Sequence, residues 1–300
     1  MAKAVYVGVG SKARKMKKAY IGIGGKARKV KKMYIGVGGK ARLCYSAEAD
    51  KFGMAASLSK ARSLLAGTTV GGYALFGGGG YDSDAKKGEA IMDAYNASLT
   101  RTTATPLPSN AYACAGGTVG GYAVFSGGSS MNSDSTLVET IGALEIVRAY
   151  DSSLTSSQAA PLSCPRAVHS AATIGNHLLF AGGYNSTTGK YLSTVESYDA
   201  SLTRSTAVEL SSAKNGLASA TVGEYAMFAG GYKGNSDAAY VATVDSYNTA
   251  LTKTTMPDLS VGRYGLASAV IGDYALFAGG ISKISSTADK YQDVVDVYSA

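Results

Sequence analysis

Residues 165–199 run PRAVHSAATIGNHLLFAGGYNSTTGKYLSTVESYD. Three strand-like pieces lie in this stretch. The first is a run of small and β-branched residues (HSAATIG), the second an apolar run closed by Gly-Gly (HLLFAGG), the third a run ending in Tyr-Asp (TVESYD). Small and β-branched residues suit tightly packed strands. A fourth piece follows after a short turn, as in RSTAVEL at 204–210.

The same text recurs on both sides. The Gly-Gly strand appears as YALFGG (73–78), YAVFSGG (122–128), HLLFAGG (177–183), YAMFAGG (225–231) and YALFAGG (274–280). Their first glycines stand at 77, 127, 182, 230 and 279, so the steps are 50, 55, 48 and 49 residues. The Tyr-Asp or Tyr-Asn element follows each time: DAYNASLT, RAYDSSLT, ESYDASLT, DSYNTALT and finally DVYSA. Four short strands per ~50 residues, with Gly-Gly closing the second, is the period of a β-propeller blade.

With those residues in view, the chain over 50–300 resembles the kelch family, most closely at 165–199. The resemblance implies an all-β, five-bladed kelch-like propeller over residues 49–300. One departure is plain. Kelch repeats usually carry a Trp after the Tyr, and this chain has no Trp; the Leu-Thr of each YDxSLT sits near its place. The fifth repeat stops before its fourth strand, while KFGMAASLSK (51–60) aligns with TRSTAVELSS (203–212). Residues 50–59 are therefore expected to supply that strand and close the ring, removing exposed sheet edges.

Composition sets further bounds. Thirty-eight glycines with only five prolines mark many tight turns rather than a disordered Pro-rich chain. The net charge of +8 is unevenly spread: residues 1–42 hold thirteen Lys and Arg and no acid, leaving sixteen basic against twenty-one acidic residues elsewhere. Such asymmetry points to an arm with a polyanion or assembly partner joined to a mildly acidic body. Cys44, Cys114 and Cys164 are scattered and show no CxxC spacing, which argues against a disulfide scaffold and a zinc site. No apolar run is long enough to span a membrane, and no Sec-type signal is visible.

Candidate site residues come from aligning the repeats. Arg62, Arg166, Lys214 and Arg263 share one position at the junction between one blade's fourth strand and the next blade's first; the remaining blade has Ala111. Tyr81, Tyr184 and Tyr232 follow Gly-Gly directly. Cations and aromatics around a channel mouth suit carboxylate or sugar ligands. The alternative is that the cations cap carbonyls or pair with acids of the blades. Five loops, 79–90, 129–143, 184–193, 232–241 and 281–292, differ in length and are rich in Ser, Asn, Asp, Gly and Tyr. Variable loops on a rigid scaffold are where recognition commonly resides. His169 and His177 occupy packing positions in this frame, and nothing in the text forms a metal site, a cofactor site or a catalytic triad. An enzyme is therefore not expected.

The arm repeats every 14 residues. VYVGVGSKARKMKK (5–18), AYIGIGGKARKVKK (19–32) and MYIGVGGKAR (33–42) keep Tyr6, Tyr20 and Tyr34 in step, and likewise Arg14, Arg28 and Arg42. Each unit has an apolar strand, a Gly turn and a basic strand, which predicts a short β-meander over residues 1–48. These units resemble repeats at the front of bacteriophage and prophage minor structural, tail-associated proteins. That resemblance implies a virion protein: the arm anchors to other virion proteins or to itself, and the propeller binds a host-surface glycan or protein. The residues alone leave two other readings open. One is an intracellular kelch-type protein-interaction module; the other is a nucleic-acid-associated protein that binds through the basic arm.

Overall fold

The computed structural model describes residues 6–9, 12–15, 20–23, 26–29, 32–37, 40–46, 55–80, 88–130, 142–234, 239–285 and 288–299. Side chains are described from residue 55 onward, 284–288 excepted. Two compact units are present, Met1–Met54 and Ala55–Ala300, a division six residues beyond the expected one.

In the first unit each basic repeat is a hairpin. Tyr6–Val9 pairs with Lys12–Lys15, Tyr20–Ile23 with Lys26–Lys29, and Lys32–Val37 with Lys40–Ser46. The register repeats: Arg14 lies across from Val7, Arg28 from Ile21 and Arg42 from Ile35. Among the described residues these are three separate two-stranded sheets, with no ladder joining one hairpin to the next as a meander requires.

The second unit is built on five main antiparallel sheets in chain order, with three further two-stranded sheets between second and third strands. Sheets 1 to 4 have four strands and sheet 5 has three. Sheet 3 is representative: Ser170–Ile174, His177–Ala181, Val195–Tyr198 and Arg204–Ala207, each paired with the next. Sheet 5 consists of Ala267–Ile271, Tyr274–Ala278 and Val295–Ser299, and its last strand has an open edge among the described residues. The strand expected over 50–59 falls partly on residues 47–54, which lie outside the described ones. Residues 55–59 carry no strand; there Ala56 O accepts a hydrogen bond from Tyr95 Oη at 2.9 Å.

The Gly-Gly pairs earn their place by backbone geometry. Gly182 and Gly183 have φ of 68° and 110°. A Cβ on Gly182 would lie 2.6 Å from Lys214 O, so no larger residue fits. In sheet 1 the left-handed pair is Gly78–Gly79, one residue later than the sequence count, and Gly77 takes the place of Ser126 or Ala181. The YDxSLT text is a turn between third and fourth strands. Asp199 Oδ1 accepts from Ser201 N and Thr203 N at 2.8 and 2.9 Å, while Leu202 adopts a left-handed φ of 61°.

The core lies between sheets rather than within them. Each sheet carries an edge-to-face Phe–Tyr pair, from Phe76–Tyr95 to Phe277–Tyr298. In sheets 2 to 5 these rings pack against the preceding sheet: Phe125 and Tyr150 meet Leu75 and Met92, and Phe228 and Tyr247 meet Leu179 and Val195. Hydroxyls stitch the first strands together. Thr173 Oγ1 donates to Thr118 O at 2.6 Å and Thr221 Oγ1 to Thr173 O at 2.9 Å.

Candidate functional site

The aligned cations are drawn into the sheets. The Arg62, Arg166, Lys214 and Arg263 side chains are fully buried, and each faces an acid on the third strand of its own sheet. The contacts are Arg62–Asp93 (2.9 Å), Arg166–Glu196 (3.3 Å), Lys214–Asp245 (3.4 Å) and Arg263–Asp296 (2.6 Å). Arg166 Nη1 also donates to Gly182 O and Thr194 O at 3.1 Å each, and Arg263 Nη2 donates to Phe277 O at 3.0 Å. A serine three residues before the cation joins the acid: Ser163 N donates to Glu196 at 2.7 Å and Ser59 Oγ to Asp93 at 3.0 Å. Burial works to raise the Asp93 carboxyl, but hydrogen bonds from Ser59 and Arg62 outweigh it and hold the pKa below the usual value. Burial lowers the Lys214 ammonium, and Asp245 opposes that shift. These cations cap carbonyls and pair with acids, the alternative that the sequence left open, and they do not stand free around a mouth.

Sheet 2 lacks the whole device. Pro108 replaces the serine, Ala111 the cation, and Arg148 the acid. All three parts are absent together, which fits a unit whose pieces are costly to leave unpaired. Tyr150 Oη correspondingly has no partner, whereas Tyr198 and Tyr247 donate to Ala160 O and Val208 O.

Just after each cation position the chain turns inward. Leu64, Ala113, Val168, Gly216 and Gly265 all have φ between 53° and 65°. Their peptides form a relay. Ala113 N donates to Leu64 O, Val168 N to Ala113 O, Gly216 N to Val168 O (2.9 Å each) and Gly265 N to Gly216 O (3.1 Å). These five residues and their successors, Leu65, Cys114, His169, Leu217 and Leu266, line a cavity of about 290 Å³ to which every sheet contributes two residues.

Two of the successors break the apolar pattern. Burial pushes the Cys114 thiol up to about 11. Burial, with the Arg166 charge second, pushes the His169 imidazole down to about 3, so it is neutral. His169 Nε2 lies 2.8 Å from Ser126 Oγ, and its Nδ1 has no partner. His177, by contrast, sits at a strand start, 3.0 Å from Ser197 Oγ.

A line of tyrosines stands at the same loops. The rings run Tyr184–Tyr191 (5.0 Å between centroids), Tyr191–Tyr232 (5.6 Å), Tyr232–Tyr240 (5.5 Å) and Tyr232–Tyr264 (6.0 Å). All five are half-buried. Tyr264 lies beside the cavity-lining Gly216: a Cβ there would come within 2.0 Å of its ring. Tyr240 Oη donates to Asp289 at 3.1 Å. Burial, then the neighbouring hydroxyls, raises the Tyr191 phenol.

The structure thus brings Tyr184 and Tyr232 together as part of one array. Tyr81 and the arm side chains Tyr6, Tyr20, Tyr34, Arg14, Arg28 and Arg42 lie outside the described ones, although the arm positions are within strands. Tyr191, Tyr240 and Tyr264 were missed by counting from Gly-Gly; the available signal was that Tyr191 and Tyr240 each stand five residues before the third-strand acid and Tyr264 directly follows Arg263. Among the described residues no group of three or more His, Cys, Asp or Glu could hold a metal, and no helix is long and apolar enough to cross a membrane.

The Kelch motif family model matches residues 165–201. No curated protein matches. The solved structure of YjhT is similar with a TM-score of 0.61 and 15% identity, covering 94% of this chain and 94% of that one. At that identity the likeness speaks for the fold alone. Together with the repeated antiparallel sheets, these findings support a kelch-repeat β-propeller. A kelch motif in turn suggests a protein-interaction module.

Proposed function

We propose that this chain is a binding protein of a phage-type particle, with the basic arm as anchor and the propeller as exposed head. The head engages a host-surface glycan or protein through the mouth where the loops, the tyrosine array and the cavity converge. In this reading the propeller has five blades. Binding, not catalysis, is its task. The observation that carries the reading is the continuous array Tyr184–Tyr191–Tyr232–Tyr264, half-buried and running from the variable loops to the side of the cavity-lining Gly216. Tyrosine supplies large, rigid contact area with a polar end, which is why it is enriched at recognition surfaces.

The test applies labelled full-length protein, and a Tyr191→Ala/Tyr232→Ala variant, to bacterial envelope fractions and glycan arrays. Binding that is lost in the variant supports the head; binding that survives unchanged moves recognition elsewhere. Light scattering of the full chain and of an Arg14→Glu/Arg28→Glu/Arg42→Glu variant tests the arm: assembly that persists in the variant would remove its anchoring role. The thirteen unopposed cations of residues 1–42 keep one second reading in play, a nucleic-acid contact. A steep loss of DNA affinity with salt is its signature.

A further inference from the structure

We propose that the mouth cavity seats one uncharged, hydroxyl-rich ring, a neutral hexose unit of a glycan, against His169. This rests on the reading that the mouth is the recognition face and names the ligand class it takes.

Four features of the site lead there. The first is size: a cavity of about 290 Å³ suits a single ring and lies at the small end of ligand pockets.

The second is where polarity enters. At the lining position that is Leu65, Leu217 and Leu266 in three sheets, the adjacent sheets 2 and 3 carry Cys114 and His169. Ser126, which contacts His169, likewise replaces the Gly77, Ala181, Ala229 and Ala278 of the other sheets. One side of an otherwise apolar ring has become polar.

The third is what that polarity lacks. His169 is only 8% exposed, lines the cavity, and its Nδ1 has no partner. A buried polar atom left unpaired is costly. A hydroxyl donates and accepts, so it satisfies either tautomer of a neutral imidazole.

The fourth is charge. Arg62, Arg166, Lys214 and Arg263 are all committed to Asp93, Glu196, Asp245 and Asp296. A carboxylate or phosphate in the cavity would meet no free counter-charge from these residues and would be stripped of water without compensation. A neutral ring bears no such cost. Its C–H face can lie on Leu217 and Leu266 while its hydroxyls meet His169.

Saturation-transfer NMR on the full chain tests this with methyl galactoside, methyl glucoside, methyl mannoside, N-acetylglucosamine and, as the anionic probe, glucuronate. At least one neutral sugar is expected to respond, with glucuronate no stronger than methyl glucoside. His169→Leu restores the residue of three sister sheets and is expected to weaken binding about tenfold, the worth of one hydrogen bond. In the wild type, the His169 imidazole nitrogen signals, told from His177 with His177→Gln, are expected to move on sugar addition. A response to no neutral sugar, a preference for glucuronate, or unchanged binding in His169→Leu overturns the proposal. Should that variant not fold, wild-type imidazole signals that stay still at saturating sugar overturn it. Envelope-protein binding that depends on Tyr191 and Tyr232, with no sugar response, overturns the hexose and leaves the binding head standing; loss of both removes the head as well.

Discussion

Ala218–Val222 and Ala267–Ile271 are nearly one sequence, ASATV and ASAVI, at the same place in sheets 4 and 5. In sheet 4 the strand alternates buried and half-buried residues, whereas in sheet 5 all five are exposed. The difference is the neighbour. Sheet 4 has a sheet on either side, whereas among the described residues sheet 5 has its packed neighbour in sheet 4. The far face of sheet 5 shows Val270, Ile271, Tyr274, Val295 and Val297 to solvent. Sheet 1 likewise borders an apolar cleft of about 740 Å³ that includes Leu65, Phe76, Tyr95 and Leu99. Burial in a repeat belongs to the joint and not to the strand.

The largest expected contrast is in the buried ion pairs. Arg166→Ala leaves Glu196 unpaired in a closed environment and should cost about 3–5 kcal/mol in urea unfolding. Arg263→Ala should cost clearly less, because the Asp296 side chain is 17% exposed and water can reach it. Equal losses would show that sheet 5 is as enclosed as sheet 3.

Next come the matched isoleucines. Ile174→Ala, at 2% exposure, should cost about 2–5 kcal/mol. Ile271→Ala, at 69%, should stay within about 0.5 kcal/mol. A full-sized loss at Ile271 would mean that its face is covered in solution, as a closed ring requires.

A smaller effect follows pH. His169 stands in sheet 3 where Leu266 stands in sheet 5. The unfolded chain takes a proton on this imidazole near 6.5, the folded chain only near 3. Stability therefore falls as pH drops through that window, by up to about 1.4 kcal/mol per unit. His169→Leu should flatten that limb. Asp93, whose folded pKa is lowered, stabilises above its unfolded value and loses this as pH falls further, so the steep loss below about 4 should remain. An unaltered limb between 6.5 and 4 would exclude the histidine.

The smallest contrast concerns the left-handed leucines. Leu202 packs between sheets 2 and 3, while Leu99 is left on the open face of sheet 1. Leu99→Gly should be neutral or raise the melting temperature by a degree or two through relief of backbone strain. Leu202→Gly should lower it through lost packing. Equal responses would deny the difference between closed and open joints.

Much of the fold was legible because repetition makes it so. Gly-Gly, Tyr-Asp and the small-residue strands recur at fixed steps, and each recurrence marks the same backbone demand. The site was less legible for a physical reason. Alignment locates Arg166 and Glu196 at repeat positions thirty residues apart, but only the pairing of strands shows that they meet, so cations that look free in the text are bound. Tyr191 and Tyr240 share a repeat position, each five residues before the third-strand acid Glu196 or Asp245, and Tyr264 directly follows Arg263; counting forward from Gly-Gly passes over all three. The open faces were illegible because Ile271 is written like Ile174; the text of a strand does not say whether another sheet follows.

The peptide relay around the cavity has a sense of travel. Each donor belongs to a later sheet and each acceptor to an earlier one, from Ala113 onto Leu64 through to Gly265 onto Gly216. Sheets that form in chain order would each offer a donor to a carbonyl of the sheet before, with the earlier product as template. The expectation is that pulse-labelled exchange during refolding protects Ala113 before Gly265; the reverse order would show that the last sheet does not wait for the first.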